Sequence, residues 1–348
     1  MTIQVSIVIP VSRFDAVKAC LDSLEKQRVA NNSFEVILVS AQDLSSLKKY
    51  PVSFKLTLIT DKRNHPSILR NLGVSASKGT FLGFLDDDTV VPSNWVGDVN
   101  RVLSENPERI IGGQNVDNRS EFLCAMANAV QEHPLLEGLK NHRQELPDNF
   151  RVNAHNLPLS NAAMARKTFD QIGGFNEVAN YYMDGSEFLY IAKKLGIPIF
   201  IYKSLKIQHD NRPMFWPYFR YKWRSRWMLG GNYVLFPECY ESALQIRAVF
   251  FSLIFFPLLL ISFHLFGILA LGSGALFAAY MVAIYLFAPR KFEHPLIFLL
   301  TGPCVFVAHL SMYFGFLTGW LRGLYLKSQN LHVIEHKKSR YSAFNKAI

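Results

Sequence analysis

Cysteine is scarce: Cys20, Cys124, Cys239 and Cys304 stand far apart, and no two form a CxxC pair. That spacing excludes a zinc site, a CxxC redox couple and a disulfide framework, and fits buried thiols in a reducing compartment. No GxGxxG follows the first apolar run and no GxxxxGK[ST] occurs, so neither dinucleotide nor P-loop chemistry is indicated. The N-terminus lacks a basic flank and a cleavable apolar core. It does not read as a signal peptide, and the first domain is expected to stay in the cytoplasm. Acidic residues are outnumbered by basic ones, 27 against 37. The resulting charge of +10, beside apolar runs after Ala248, points to an anionic membrane surface or a phosphate-bearing substrate. Zinc fingers, RNA-binding signatures and basic reading helices are missing, so no nucleic-acid partner is expected.

What the sequence does hold begins with alternating strand and helix patterns. Gln4–Pro10, Phe34–Val39 and Leu56–Ile59 are β-branched runs of strand length. Asp15–Arg28 and Pro66–Ser77 carry apolar residues at helical spacing, the second closed by Lys78-Gly79. Phe81–Leu85 predicts a buried strand, and Asp86, Asp87 and Asp88 follow it at once. Beyond them a helix is expected over Ser93–Ser104, a strand at Ile110-Ile111 and a helix near Phe122–Val130 within a loop-like stretch. A strand at Leu159–Ala165, a helix at Ser186–Leu195 and a strand at Ile197–Tyr202 complete the order. This predicts an α/β domain over residues 1–212, with a mostly parallel sheet flanked by helices on both faces. Such sheets bind ligands at the carboxyl ends of their strands, where the acidic triplet falls. Three adjacent carboxylates repel one another, and their oxygens suit a hard divalent ion that can also bridge phosphates.

In their order, these motifs resemble the inverting family 2 glycosyltransferases of GT-A fold, over roughly Val5 to Asp210. Val5-Ser6-Ile7-Val8-Ile9-Pro10 resembles the family's opening strand. Arg70-Asn71-Leu72-Gly73, with Ala76 and Gly79 behind it, is similar to the helix before its acidic motif. Leu85–Asp88 resembles the acidic motif, and Gly173-Gly174-Phe175-Asn176-Glu177 the acceptor-side turn. His209 follows the last strand, where the family often has a metal- or phosphate-contacting histidine, though it can also be read as a surface residue. The resemblance implies sugar transfer from a UDP- or GDP-linked donor with Mn2+ or Mg2+ held by Asp88 and His209. It further implies nucleotide contacts from Pro10, Ser12, Ser40, Arg70, Asp86 and Asp87, and acceptor contacts from Gly173, Gly174 and Phe175.

Two departures stand out. The acid that the family carries after its second strand is replaced by Ser40, with Asp43 farther along. The family's Glu-Asp pair, which supplies the catalytic base, aligns with Asp184-Gly185, so the base position falls on glycine. Asp184 is the expected base and Glu187 the alternative, although Asp184-Gly185-Ser186-Glu187 is also a capping-box pattern. A catalytically impaired member, binding nucleotide sugar or scaffolding a glycan-assembly complex, is the alternative reading of the whole. The remaining histidines, His133, His142 and His155 among them, are read as surface residues.

Residues 213–247 mix aromatics with cations (Trp216, Tyr218, Arg220, Trp223, Arg226, Trp227), which predicts an amphipathic segment at a membrane interface. Residues 248–326 read as transmembrane helices. Ala248–Ala270 and Ala275–Ala288 are separated by Gly272-Ser273-Gly274, and Pro295–Leu326, which contains Gly302-Pro303, reads either as one tilted span or as a broken segment that turns back. Arg290-Lys291 is expected on the cytoplasmic side, and residues 327–348 form a basic tail. The expectation is a multi-pass protein of the inner membrane with its catalytic domain cytoplasmic. Its acceptor is expected to be a lipid-linked sugar or a glycan, in surface polysaccharide or glycoconjugate assembly.

Overall fold

The computed structural model describes residues 3–117, 119–131, 133, 136, 149–151, 157–177, 184–210, 212–235, 268–287 and 295–329. Its elements, in chain order, begin with β1 (Val5–Val11), α1 (Phe14–Glu25), β2 (Phe34–Ser40), β3 (Lys55–Thr60), α2 (Pro66–Ala76) and β4 (Phe81–Leu85). Next come β5 (Thr89–Val90), α3 (Trp95–Glu105), β6 (Ile110–Gly112), β7 (Asn115–Val116), α4 (Phe122–Gln131), β8 (Asn149–Arg151) and β9 (Asn161–Ala165). The last are α5 (Arg166–Ile172), α6 (Asp184–Lys194), β10 (Ile199–Tyr202), β11 (Ile207–His209), α7 (Trp216–Leu235), α8 (Ile268–Phe287) and α9 (Pro295–Gln329). They form two units: Met1–Asn118 with His142–Asp210, and Arg119–Asn141 with Asn211–Ile348.

The first unit is built on an eight-stranded sheet in the order β3-β2-β1-β4-β9-β6-β10-β8. β3, β2, β1 and β4 run parallel, β9 inserts antiparallel between β4 and β6, and β10 lies parallel to β6. Side-chain alternation explains why the strands read as unbroken apolar runs. Ile7 and Ile9 of β1 with Val36 and Leu38 of β2 share a core with Val17, Leu21 and Leu24 of α1 and Trp95 and Val99 of α3. Ile37 and Val39 point the other way and pack on Leu69 of α2. Helices therefore cover both faces, and each side chain so buried is worth roughly 1.5–3 kcal/mol.

One charge is buried in this core. Glu35 accepts from Ser6 Oγ at 2.8 Å, Lys55 Nζ at 2.6 Å and the Lys78 N–H at 2.6 Å. Burial works to raise its carboxyl, but these donors outweigh it and hold the pKa below the ordinary value.

A second, three-stranded sheet in the order β5-β11-β7 sits beyond the carboxyl end of β4. Its register pairs His209 with Thr89, joining residues far apart in sequence.

The second unit is helical. α7 and α9 pack at backbone distance: a Cβ added to Gly315 would overlap the Trp223 carbonyl, and one at Gly319 the Trp227 carbonyl. Gly323 meets Gly231 in the same way, so glycines at every fourth position of α9 form one close-packed stripe. α4 shares a core with α8 and α9 through Met126, Val130, Ile284, Ile297, Val305 and Ala308.

α9 runs through Gly302-Pro303 as one helix, which matches the single-span alternative for Pro295–Leu326 and not the broken segment. The proline leaves the Leu299 carbonyl without its helical donor, and the Tyr285 hydroxyl from α8 supplies one at 2.8 Å. His133 is not a surface residue: it is buried, with Nε2 2.8 Å from the Ile284 carbonyl.

Among the described residues α9 alone is long and apolar enough to cross a membrane. Its 35 residues extend about 50 Å, well beyond a hydrocarbon core of about 30 Å. Residues 248–267, 290–291 and 330–348, together with His142, His155 and Cys239, lie outside the described residues. Cys20, Cys124 and Cys304 are buried free thiols, as expected of the cysteines.

Candidate functional site

The acidic triplet leaves β4 in a turn closed by Thr89, whose hydroxyl donates to the Asp86 carbonyl at 2.8 Å. That turn separates the three carboxylates. Asp86 faces α2, where Arg70 Nη2 lies 3.1 Å from its Oδ1. Asp87 turns to the loop between β1 and α1. Its Oδ2 accepts from the Ser12 N–H (2.6 Å), Ser12 Oγ (3.0 Å) and the Arg13 N–H (2.7 Å). Its Oδ1 takes Arg13 Nε at 3.1 Å and Nη2 at 2.8 Å. With both oxygens engaged, Asp87 organises the loop, and Asp86 is the acid of the pair facing Arg70 and His209. Asp88 is buried, with Oδ2 2.6 Å from Arg13 Nη2 and Oδ1 3.4 Å from His209 Nε2. His209 Nε2 is also 3.8 Å from Asp86 Oδ2.

Asp86, Asp88 and His209 thus each offer one ligand atom, all within 4.8 Å of one another. Asp88 Oδ1 is buried and accepts no hydrogen bond, as an oxygen reserved for a cation would be. Two carboxylate oxygens and an imidazole nitrogen suit Mn2+ or Mg2+, so the residues fit the ion that the family resemblance implies. The local electrostatics agree. Burial works to raise Asp86, but His209 and Arg70 outweigh it and hold its carboxyl below the ordinary value. At Asp88 burial prevails and raises the carboxyl against His209 and Arg13. Burial would lower His209, yet Asp86 and Asp88 raise it above the ordinary imidazole value. These groups compete for positive charge, a competition that a bound cation would relieve.

Arg70 also connects this cluster to the glycine turn, its guanidinium lying 5.7 Å from the Phe175 ring centre. Gly173 and Gly174 both adopt positive φ (85° and 72°), which side chains disfavour, and this aims Phe175 inward onto Phe84 and Phe188. Asn71 locks the turn: its Oδ1 accepts from the Phe175 N–H at 2.9 Å and its Nδ2 donates to the Phe175 carbonyl at 2.8 Å. From the same turn, Asn176 Nδ2 donates to both Glu187 oxygens, at 2.9 and 3.2 Å. Asp184 is the first residue of α6, and its side chain lies outside the described residues. A Cβ at Gly185 would sit 2.8 Å from Leu159 Cδ1, so Leu159 packs into the space a side chain there would take.

Ser40, an expected nucleotide contact, and Asp43 farther along both make local hydrogen bonds. Ser40 is buried, donating to the Val11 carbonyl at 2.7 Å and accepting from the Gln42 N–H. Asp43 closes a local turn on Ser45. Pro10 lies in β1, beside the loop that carries Ser12. Sequence reasoning missed Arg13, Asn71 and Asn176. Arg13 was visible as a lone cation one residue past Ser12, at the end of a strand whose carboxyl edge was already the suspected ligand edge.

Residues 6–173 match the model of glycosyl transferase family 2. This chain carries a family 2 glycosyltransferase domain. The match includes Arg13, Arg70 and the acidic triplet, while Glu187 and His209 lie beyond it. An uncharacterized glycosyltransferase of Haemophilus influenzae is 36% identical over 109 residues, which are 30% of this chain and 36% of that protein. Among solved structures, the mannosyltransferase PcManGT of Pyrobaculum calidifontis, in complex with GDP-Man and Mn2+, is 14% identical with a TM-score of 0.57. The similarity covers 93% of this chain and 88% of that one. S. aureus TarS 1-349 is 15% identical, with a TM-score of 0.47 over 92% and 90% of the two chains. With its mostly parallel sheet flanked by helices, the family 2 domain has the GT-A type of fold.

Proposed function

We propose that this chain transfers a sugar, with inversion, from a UDP- or GDP-linked donor to an acceptor hydroxyl, using Mn2+ or Mg2+ held by Asp86, Asp88 and His209. The observation that carries the reading is the convergence of those three side chains with Arg70 at the carboxyl end of β4. When bound, the ion would neutralise charge developing on the departing diphosphate. Arg70 would present its guanidinium to a donor phosphate or base while keeping Asp86 ionised. Ser12, Arg13 and Asp87 would hold the β1–α1 loop as one wall of the nucleotide cleft. Gly173 and Gly174 would line the acceptor side, and Phe175, expected there too, is instead buried behind them on Phe84 and Phe188. Glu187, oriented by Asn176, or Asp184 would take the proton from the acceptor hydroxyl.

The neighbour in complex with GDP-Man and Mn2+ lends support to a nucleotide-sugar donor and a divalent ion. The acceptor we propose is a lipid-linked sugar or glycan in surface polysaccharide or glycoconjugate assembly. The exposed Trp216, Tyr221 and Trp223 of α7 and the length of α9 support a protein held in the inner membrane with this domain on the cytoplasmic side. A multi-pass arrangement belongs to the same proposal.

The test is nucleotide release from a panel of UDP- and GDP-sugars in the presence of polyprenyl-diphosphate-linked acceptors, with and without Mn2+. Donor- and metal-dependent release that Asp88→Ala abolishes is expected; release indifferent to both metal and Asp88 would discard the reading. A second reading, donor binding without transfer, draws on Gly185 at the base position with Leu159 packed against it. Tight nucleotide-sugar binding with no turnover on any acceptor would favour it.

A further inference from the structure

The least expected side chain in the site is Arg13, because it occupies an oxygen of the residue assigned to the ion. Its Nη2 lies 2.6 Å from Asp88 Oδ2. It has little freedom to leave. Asp87 holds the Arg13 backbone N–H through Oδ2 and its Nε and Nη2 through Oδ1, while also gripping Ser12 N–H and Oγ. Main chain and guanidinium are thus fixed by one buried carboxylate. The consequence is felt at Asp88, whose side chain is only 3% exposed, so water has little room to replace the guanidinium. One oxygen of Asp88 is spent, and the other, Oδ1, is turned toward His209 Nε2 and accepts no hydrogen bond.

A carboxylate held this way can offer a cation one oxygen but not two. That distinction separates ions by size. Mn2+ and Mg2+ take six ligands in compact octahedral geometry, whereas Ca2+ takes six to eight oxygens at longer distances and commonly uses carboxylates through both oxygens. We propose that Arg13 is a positioning residue that restricts Asp88 to one-oxygen coordination and thereby sets the site's preference for Mn2+ over Ca2+. This rests on the reading that Asp86, Asp88 and His209 hold the ion, and adds the residue that decides which ion.

Calorimetric titration of the full chain in detergent with Mn2+ alone and with Ca2+ alone tests it. Wild type should bind Mn2+ the more tightly. Arg13→Gln, which frees Asp88 Oδ2, should lower the Mn2+/Ca2+ affinity ratio by about tenfold or more, within the range typical of groups that orient metal ligands. Should that variant melt too early to titrate, Asp87→Asn loosens Arg13 with all three ligands intact, and the same fall is expected. An unchanged ratio in a folded variant, with Mn2+ binding still lost in Asp88→Asn, would overturn the role of Arg13 and leave the metal reading standing. Absence of Mn2+ binding in wild type would overturn both.

Discussion

The sheet unit is tied by ion pairs with buried or half-buried carboxylates: Glu35 on Lys55, Asp87 and Asp88 on Arg13, Asp86 on Arg70. In the helical unit two helices pack backbone to backbone, where Gly315, Gly319 and Gly323 admit the carbonyls and Cα atoms of α7. Among the described residues the first unit exposes Val90 alone of its large apolar side chains, whereas α8 and α9 leave Leu286, Leu299, Leu321 and Tyr325 exposed. A buried charge network stores electrostatic free energy that a ligand can draw on, which is why the chemistry collects in the sheet unit. Glycine-mediated packing suits helices whose outer faces meet an apolar medium, since it needs no hydrophobic drive between them.

Four substitutions set the two units apart. Asp88→Asn should reduce transfer by about 10³-fold, equivalent to about 4 kcal/mol of barrier, while both units melt as before. A nucleotide-release assay beside a thermal melt checks it, and near-normal turnover would remove Asp88 from the site. Gly319→Leu should destabilise the helical unit by about 3 kcal/mol through overpacking against Trp227. Four of the five tryptophans (Trp216, Trp223, Trp227 and Trp320) report that unit and the buried Trp95 reports the other, so fluorescence melts can separate the two effects. Equal loss of donor affinity in this variant would show that the units are not independent.

Glu35→Gln should cost about 2 kcal/mol near neutral pH, the scale of a charge-assisted hydrogen bond. Because the folded pKa lies below the unfolded value of about 4.3, this contribution is complete above that pH and fades as pH falls through the folded pKa. Melts of wild type and variant should therefore differ most at pH 6–7 (roughly where the carboxyl is ionised in both states) and converge in acid; a constant gap would contradict the assignment. The smallest effect belongs to Tyr285→Phe. It strips the donor from the Leu299 carbonyl beside Pro303 and should lower stability by about 1 kcal/mol. No shift would mean that α9 tolerates the proline unaided.

Much of the sheet unit was legible because both faces of its sheet are covered, so its strands are written as continuous apolar runs with turn residues between them. Strand and helix boundaries moved by only a few residues, as at Phe14–Glu25 against the expected Asp15–Arg28. The helical unit was harder. The tandem spacing of Gly315, Gly319 and Gly323 is present in the sequence but reads simply as part of an apolar run, and Gly302-Pro303 leaves a tilted span and a broken segment equally open. A proline's effect depends on whether some other chain segment supplies the missing donor, and Tyr285 does.

By itself the sequence determined the α/β character of the first unit, the acidic triplet at a strand's carboxyl end, and an apolar helix long enough to cross a bilayer. All of these are encoded in short windows, where side-chain period and turn chemistry act locally. Only the tertiary structure decided which acid does what. His209 reaches Asp88 because β11 pairs with β5, Asp87 is withdrawn by the loop after β1, and Arg13 becomes its partner. Those outcomes depend on strand pairing and charge balance between residues more than seventy positions apart, which no local pattern carries.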